Sequence, residues 1–457
     1  MKTSKTAINL TQGRPLKLIL LFAIPVFLGN LFQILYNLVD TKIVGSILGG
    51  DALAAVGAVS SLYTLLIGFF NGLSLGFSVI TSRYFGSGDE KGLKQNVAGS
   101  ILLGFVTAAG IIAAVAVFLK PILILLNVPS EQLDMAYTYI CILVWGMFIT
   151  LAYNLCANTL RAIGDSFTPL IFLVVASILN VILDYAFIFG LGMGVKGAAV
   201  ATVLSQLVSV ILCLFRIYKG FPILHVSKSD FMLTRSQIFA MYESGLSMGL
   251  MTSIVNFGTL VLQSGINQLG INIIVAHTSA RKVFEIWNLP VSVLGAAMAT
   301  YCGQNYGAGK YDRIRRGMRD SLILGSIWVA IIFVLAHTVS PYLIAFLAST
   351  KNEEIIYWGA TYLKVDMSFL IIVVFIVILR NSMQGFGDYR TPIISSFIEF
   401  VGKLVFTFVF VRLFGYWAII WTEPMIWALM VIPLIVMTWR NPIWHSGKQG
   451  DNREDSV

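Results

Sequence analysis

The chain has 457 residues, of which 57% are hydrophobic and only 12% are charged, and its mean hydropathy is +0.84. This composition excludes a water-soluble globular domain of that length. The formal net charge of +9 does not require a nucleic-acid partner, because the basic residues concentrate in loops on one side of the predicted membrane topology.

Twelve apolar windows follow one another along the chain, and each is long enough to cross about 30 Å of hydrocarbon. They lie near 15–39, 53–82, 95–119, 135–160, 166–189, 197–215, 242–270, 281–303, 321–347, 355–379, 391–411 and 416–439. A polar break between the sixth and seventh windows has no spanning run. The sequence therefore predicts an all-α polytopic membrane protein: an amino-terminal lobe (1–215), a cytoplasmic linker (216–237), a carboxy-terminal lobe (238–440) and a polar cytoplasmic tail (441–457).

The two lobes are predicted to be copies of one six-helix bundle. Phe-Gly-Ser-Gly at 85–88 returns as Tyr-Gly-Ala-Gly at 306–309, and Gly-Asp-Ser-Phe-Thr-Pro at 164–169 returns as Gly-Asp-Tyr-Arg-Thr-Pro at 387–392. Repeated halves around a midplane site are how many secondary transporters open alternately to each side of a membrane. The duplication therefore favours transport.

Most Lys and Arg residues fall on the side of the membrane that carries the amino terminus, which predicts cytoplasmic termini and a multi-pass protein of the cell inner membrane. No cleavable signal peptide is expected, since the first apolar run is of full spanning length. The four cysteines lie in predicted helices without metal-ligand spacing and are expected to be small buried side chains. They are Cys141, Cys156, Cys213 and Cys302.

The Gly-rich segment near Gly309 superficially resembles a phosphate-binding loop, but Gln304 stands where that motif needs Gly, and Tyr311 stands where it needs Ser or Thr. We therefore expect no ATP site and no cofactor, so that a pump would depend on an ion gradient. The sequence also shows no nucleophile and base pair and no metal-ligand spacing typical of an intramembrane enzyme, and the protein is not expected to be an enzyme.

Acids within the predicted spans are the main candidates for function, since an ionised side chain there costs at least about 2.5 to 3.5 kcal/mol on insertion scales. Asp40 and Asp184 each lie on a polar stripe of an otherwise apolar helix, and neutral oxygen donors accompany them. Together they could hold one shared proton or a desolvated Na⁺. Alternatively they are structural acids, or Asp40 is simply interfacial. The supporting polar residues are Gln33 and Asn37 on the first helix, Ser177 and Asn180 on the fifth, and Thr202 and Gln206 on the sixth.

Several stretches resemble the multidrug and toxic compound extrusion (MATE) family, in particular its prokaryotic branch that includes the DNA-damage-inducible and archaeal types. They are Ala-Ile-Pro at 23–25, Leu-Val-Asp at 38–40, Ala-Asn-Thr-Leu-Arg-Ala-Ile-Gly-Asp at 157–165 and Gly-Ala-Ala-Val-Ala-Thr at 197–202. The resemblance spans nearly the whole chain. It implies a V-shaped pair of bundles that exports amphipathic or cationic compounds in exchange for H⁺ or Na⁺.

The resemblance also implies residue roles. It carries the family's amino-terminal cation site onto Asp40, Asn180, Asp184 and Thr202, and it makes Pro25 the point at which the first helix bends. Proline removes a helix hydrogen bond, so a kink there is physically reasonable.

The carboxy-terminal lobe departs from another branch of the family, whose cation site uses acids on the seventh and tenth helices. This chain has Asn256 and Val373 near those positions. The internal repeat instead places Lys403 opposite Asn180, Thr407 opposite Asp184 and Glu423 opposite Thr202, with Glu399 one turn before Lys403. We expect Glu399, Lys403 and Glu423 to form a fixed ion network in place of a titrating cation site.

A further face carries His277, Arg281 and Glu285 at i, i+4 and i+8 near the start of the eighth helix. We expect these residues to line a substrate cavity in which Glu285 attracts a cation; the alternative is a local Arg281–Glu285 pair. Asn154 and Asn256 are further cavity candidates, whereas Arg161 and Asp165 are interpreted as cytoplasmic helix-end residues.

The sequence therefore favours a monomeric H⁺- or Na⁺-coupled exporter of amphipathic or cationic small molecules, with H⁺ narrowly preferred. The main alternative is a lipid-linked precursor flippase of the same superfamily, for which a strongly cationic cavity would be expected. An intramembrane enzyme or a passive pore is a third, less favoured possibility.

Overall fold

The computed structural model describes residues 7–126 and 128–444. Within them, twelve helices are long and apolar enough to span a membrane, which confirms the predicted number and the all-α class. The helices are α1 (Pro15–Leu48), α2 (Gly50–Ser87), α3 (Glu90–Leu125), α4 (Leu133–Ala162), α5 (Phe167–Gly190), α6 (Val195–Gly220), α7 (Arg235–Ile266), α8 (Ile271–Gly307), α9 (Tyr311–Leu347), α10 (Glu353–Phe386), α11 (Arg390–Phe414) and α12 (Tyr416–Arg440).

The repeated Gly-Asp-x-x-Thr-Pro segment has the same local structure in both copies. Gly164 and Gly387 have φ of 93° and 104°, a left-handed conformation that favours glycine. The Asp that follows each glycine accepts hydrogen bonds from the backbone N–H and the hydroxyl of the Thr three residues later, at 3.0 and 2.6 Å in each copy. The motif thus ends one helix and caps the start of α5 or α11.

The chain folds into two compact units whose boundaries differ from the predicted lobes. Among the described residues, the amino-terminal unit contains 7–9 and Ile24–Gly249, and the carboxy-terminal unit contains Leu10–Ala23 and 250–444. The first turns of α1 therefore belong to the carboxy-terminal unit, and the first half of α7 belongs to the amino-terminal unit. Hydropathy windows cannot show this exchange, because it depends on which neighbours a helix packs against.

The first half of α7 is held against α2 by close backbone contact. A Cβ atom on Gly76 would lie 2.5 Å from the Ser244 carbonyl oxygen, and one on Gly72 would lie 2.6 Å from the Met248 carbonyl oxygen. The Ser244 hydroxyl also donates to the Gly76 carbonyl at 2.7 Å. Small residues permit this approach, as they do in many membrane helix pairs.

The linker is shorter than the predicted 216–237, since α6 continues to Gly220 and α7 begins at Arg235. Between them lie two short 3₁₀ turns, Pro222–Leu224 and Lys228–Phe231. The helix α6 extends because long basic side chains can lie along apolar surface at a membrane boundary, as when the Lys219 ammonium sits 4.5 Å from the centre of the Phe215 ring. Of the predicted tail, 442–444 form a 3₁₀ turn, and the part from 445 onward lies outside the described residues.

Candidate cation site and charged network

The amino-terminal unit brings Asp40 and Asp184 into hydrogen-bonding contact with each other. Asp184 is fully buried on α5, and Asp40 is half-buried on α1. The Oδ1 atom of each is a buried acceptor without a hydrogen-bond partner. Two carboxyl groups so close together cannot both remain ionised without a cation between them. The pair can therefore hold one shared proton or a small cation.

Neutral groups surround this carboxyl pair. The Asn180 amide, in the orientation that satisfies both of its ends, donates to Asp184 Oδ2 at 2.8 Å and accepts from the Thr202 backbone N–H at 3.2 Å. The Thr202 hydroxyl donates to the Ala198 carbonyl at 3.0 Å. The four residues singled out by the resemblance thus lie together, and the described contacts include no basic side chain among them.

Two tyrosines that the sequence reasoning missed complete this region. The Tyr36 hydroxyl contacts Thr202, and the Tyr63 hydroxyl contacts Gln206. Tyr36 lies one turn before Asp40, so helical spacing alone could have identified it. Tyr63 lies on α2, and no pattern in its own helix indicates the contact.

A polar cavity of about 160 Å³ lies within the same unit. Of the predicted supporting residues, Gln33, Ser177 and Gln206 line it, whereas Asn37 is exposed and is not part of its wall. The predicted substrate residue Asn154 also lines this cavity. Arg161 was interpreted as a cytoplasmic helix-end residue, but it lines the cavity as well, and its Nη1 donates to Asn158 Oδ1 at 3.0 Å.

The helix α5 changes from α to π geometry directly after Asp184, over Tyr185–Gly190. The helix α11 does the same over Phe406–Phe410, which contains Thr407, the repeat partner of Asp184. Such π turns insert one extra residue into a helix and are frequent at functional sites. Their presence at repeat-related positions indicates that both regions are candidate functional sites.

In the carboxy-terminal unit, Lys403 is buried between two acids. Its Nζ atom lies 2.9 Å from Glu399 Oε1 and 3.3 Å from Glu423 Oε1, and it donates to Thr259 Oγ1 at 3.3 Å. The structure therefore brings together the three residues of the predicted ion network. The ammonium contacts both carboxylates but balances only one of their two negative charges.

The network extends further than the sequence analysis proposed. Asp366 on α10 is fully buried beside Glu423, and the hydroxyl of Tyr362, one turn earlier, is within its reach. Arg281 Nη1 donates to the same hydroxyl at 3.4 Å. The Arg380 guanidinium lies close enough to Glu399 to interact with it electrostatically. The sequence analysis did not include Asp366, since the resemblance compares α10 at Val373, near the position at which a related branch has its acid.

His277, Arg281 and Glu285 share a cavity of about 160 Å³ with neighbouring polar side chains. His277 is buried, and its Nδ1 lies 3.2 Å from the Tyr416 hydroxyl. Within the described residues, no ion pair joins Arg281 to Glu285. Asn256 is half-buried on α7 and is not part of this cavity wall.

Comparison with protein families gives two matches to one model, described as MatE, over residues 25–186 and 247–409. Together they cover more than half of the chain, and their spacing agrees with the internal repeat.

The chain is similar to proteins of known description along most of its length. It is 28% identical over 416 residues to the probable multidrug resistance protein YpnP of Bacillus subtilis, covering 90% of this chain and 91% of that protein. It is 24% identical over 393 residues to the probable multidrug resistance protein YoeA of the same organism, covering 84% of each. A crystal structure described as MATE in the bent conformation matches with a TM-score of 0.88 at 23% identity, covering 97% of this chain and 99% of that one, which shows a shared fold.

Proposed function

Because the chain belongs to the MatE family, we propose that it is a secondary antiporter that exports amphipathic or cationic compounds in exchange for H⁺ or Na⁺ by alternating access. The descriptions of its relatives as multidrug resistance proteins support export of small molecules. The twelve spans and the family membership establish a multi-pass membrane protein. We further propose that it works as a monomer in the inner membrane with both termini in the cytoplasm, as its basic loops indicate.

The contact between Asp40 and Asp184 is the single observation that carries the coupling proposal. A carboxyl pair with no basic partner changes its net charge when it gains or loses a proton, so its protonation state can be linked to conformation and to substrate binding. Asn180 and Thr202 would orient the pair. Arrangements of this kind let an inward proton flow drive outward transport.

The local hydrogen bonding favours H⁺ over Na⁺. The Asn180 amide oxygen already accepts from the Thr202 backbone N–H. A desolvated Na⁺ needs several free oxygen ligands, whereas a proton needs only the two facing carboxyl groups. Pro25, which lies within α1 and lacks a backbone N–H, would let that helix bend as the carboxyl pair changes charge.

Efflux from vesicles tests the proposal. Liposomes that contain the purified protein would be loaded with a fluorescent organic cation, and either a pH gradient or a Na⁺ gradient would be imposed across their membrane. The Asp184→Asn variant would be measured under each gradient. We expect efflux to follow the pH gradient and to fall to background in Asp184→Asn. The matched control is Asp51→Asn, which changes an exposed acid of the same unit and should leave efflux unchanged.

Two outcomes would count against the proposal. Undiminished gradient-driven efflux in Asp184→Asn would remove the carboxyl pair from the coupling mechanism. Failure of both gradients to drive any tested cation would instead favour the lipid-linked precursor flippase.

A further inference from the structure

Asp366 differs from the other buried acids of the carboxy-terminal unit. Glu399 and Glu423 each contact the Lys403 ammonium, at 2.9 and 3.3 Å. Within the part of the chain that the structure describes, Asp366 has no such ion pair, and both of its carboxyl oxygens are buried without a hydrogen bond of good geometry. A fully buried carboxylate without an ion pair is unfavourable, and the nearby Tyr362 hydroxyl carries no charge to balance it. Asp366 is therefore the acid of this network that can most readily exist in a neutral, protonated form.

The charges of the network balance only when Asp366 is ionised. The buried network has three bases (Arg281, Arg380 and Lys403) and three acids (Glu399, Glu423 and Asp366). Glu285 lines the cavity beside Arg281 but is exposed and forms no ion pair with it, so it is not part of this network. If Asp366 carries a proton, one positive charge is left uncompensated. Charge without a counter-ion inside a membrane protein is unfavourable, and a bound anion would relieve it.

Tyr362 connects Asp366 with the cavity described above. Its hydroxyl lies within reach of Asp366 and accepts from Arg281 Nη1 at 3.4 Å. Of the six charged groups, Arg281 is the one that lines the cavity wall. Its guanidinium lies 4.6 Å from the centre of the Phe284 ring and forms no ion pair with Glu285. The uncompensated charge is therefore presented at the cavity.

Charged and titratable groups from four helices surround Asp366. Tyr362 lies on its own helix, Arg281 on α8, Lys403 on α11, and both Tyr416 and Glu423 on α12. Among these, Lys403 is held by its two glutamates. Arg281 interacts electrostatically with both Glu423 and Asp366, and Glu423 is already paired with Lys403. Loss of the Asp366 charge therefore leaves Arg281 without an acid of its own.

We propose that the cavity at Arg281 binds the carboxylate of an amphipathic organic acid and that this binding is accompanied by protonation of Asp366. A planar guanidinium suits a carboxylate because two parallel N–H groups can donate to its two oxygens. Thr259, Gln263 and His277 supply further polar groups around the 160 Å³ space. A phosphate dianion fits less well, since it brings two negative charges to a network that offers one uncompensated positive charge.

This inference goes beyond the proposed export of cations, because it assigns an anion site and a second protonatable carboxyl to the carboxy-terminal unit. Its test is equilibrium binding without any gradient, so its failure would leave the exchange mechanism at Asp40 and Asp184 untouched. Conversely, loss of that exchange would not affect the binding result.

The experiment is calorimetric titration of the purified full-length protein with benzoate across a pH series in which benzoate stays ionised. We expect binding to tighten as pH falls, with uptake of close to one proton per benzoate, measured from the dependence of the heat on the buffer. Benzamide, which has nearly the same shape and no charge, should not bind, and phenyl phosphate should bind more weakly than benzoate.

The variants separate the two parts of the proposal. Asp366→Asn, which resembles the protonated form, should bind benzoate at every pH without proton uptake, and Arg281→Gln should lose binding. Lys282→Gln, an exposed neighbour, is the control and should behave like the unsubstituted protein. If Arg281→Gln does not fold, Glu285→Gln removes the negative charge that shares the cavity wall with Arg281 and should strengthen benzoate binding.

Three results would overturn the proposal. They are benzamide binding as tightly as benzoate, benzoate binding without proton uptake in the unsubstituted protein, and unchanged proton uptake in Asp366→Asn.

Discussion

In the amino-terminal unit, α5 presents Asn180 and Asp184 to a second acid, and no described contact supplies a base. In the carboxy-terminal unit, α11 presents Lys403 and Thr407 at the repeat-related positions, and the lysine lies between two acids. The helical scaffold is the same in both units, including the π turn that follows. The difference lies in whether a counter-charge is built in.

The two copies of a duplicated bundle can thus have different functions. A carboxyl pair without a base must gain or lose a proton or a cation to change state, which suits coupling. A lysine between two glutamates stays protonated, because loss of its charge would leave both buried carboxylates without a counter-ion. One unit is therefore suited to changing its charge, and the other to keeping most of its charge fixed.

The largest expected effect comes from Asp40→Asn, which should abolish gradient-driven efflux while leaving the protein folded, because the amide can still hydrogen bond to Asp184. Efflux from vesicles and the thermal unfolding midpoint would be measured together. Glu399→Gln is the comparison from the other unit and should lower the midpoint more than Asp40→Asn does. If Asp40→Asn retained efflux, the two units would not differ in the proposed way.

Next in size is the stability loss from Lys403→Ala, which strands two buried acids and should cost about 3 to 5 kcal/mol. The variant at its repeat partner, Asn180→Ala, removes an uncharged amide that donates to Asp184 Oδ2 and should cost about 1 to 3 kcal/mol. The thermal unfolding midpoints in detergent give the ranking. Equal losses, or a normal midpoint and normal efflux in Lys403→Ala, would show that the lysine is not needed to balance the acids.

A third prediction asks whether the coupling site can be moved between units. Thr407→Asp places an acid at the repeat partner of Asp184, in the Asp184→Asn background. We expect no recovery of efflux, since Lys403 one turn away would hold the new carboxylate in its ionised form. Recovery to even a minor fraction of normal efflux would mean that position matters more than the neighbouring charge.

The smallest expected effect comes from Glu285→Gln. An exposed charge of this kind contributes about 0.2 to 1 kcal/mol to an ionic contact, so the apparent affinity for a cationic substrate should fall by no more than about fivefold. The concentration dependence of efflux measures this, and maximal efflux should not change. A loss of maximal efflux would instead place Glu285 in the transport mechanism itself.

Hydropathy predicted the number and order of the helices, because spanning a bilayer requires long apolar runs. It was less successful at helix ends. The helix α8 begins at Ile271 rather than near 281, since polar residues such as His277 and Arg281 interrupt an apolar window without interrupting the helix. The exchange of the first parts of α1 and α7 between the units could not be predicted, because it depends on packing partners.

The charged residues were only partly predictable. Helical spacing on single helices indicated the stripes that contain Asp40, Asp184 and Lys403, and the internal repeat then related them to one another. Asp366 lies on no acidic stripe of α10, and its importance depends on Glu423 and Arg281 from other helices. A single sequence does not show that side chains from three different helices come close together in the fold.

The π turn after Asp184 has a geometric consequence for the whole helix. Each residue of an α-helix turns the chain by about 100°, so one additional residue in a turn rotates everything beyond it by about that angle. The π turn thus changes the direction in which Phe189 points relative to the Asp184 carboxyl group. The Phe189 side chain is 78% exposed. Deleting one residue from Tyr185–Gly190 would shift this phase and move the aromatic surface around the helix. Because of the extra residue, one continuous helix directs its polar side chains and its aromatic side chains towards different surroundings.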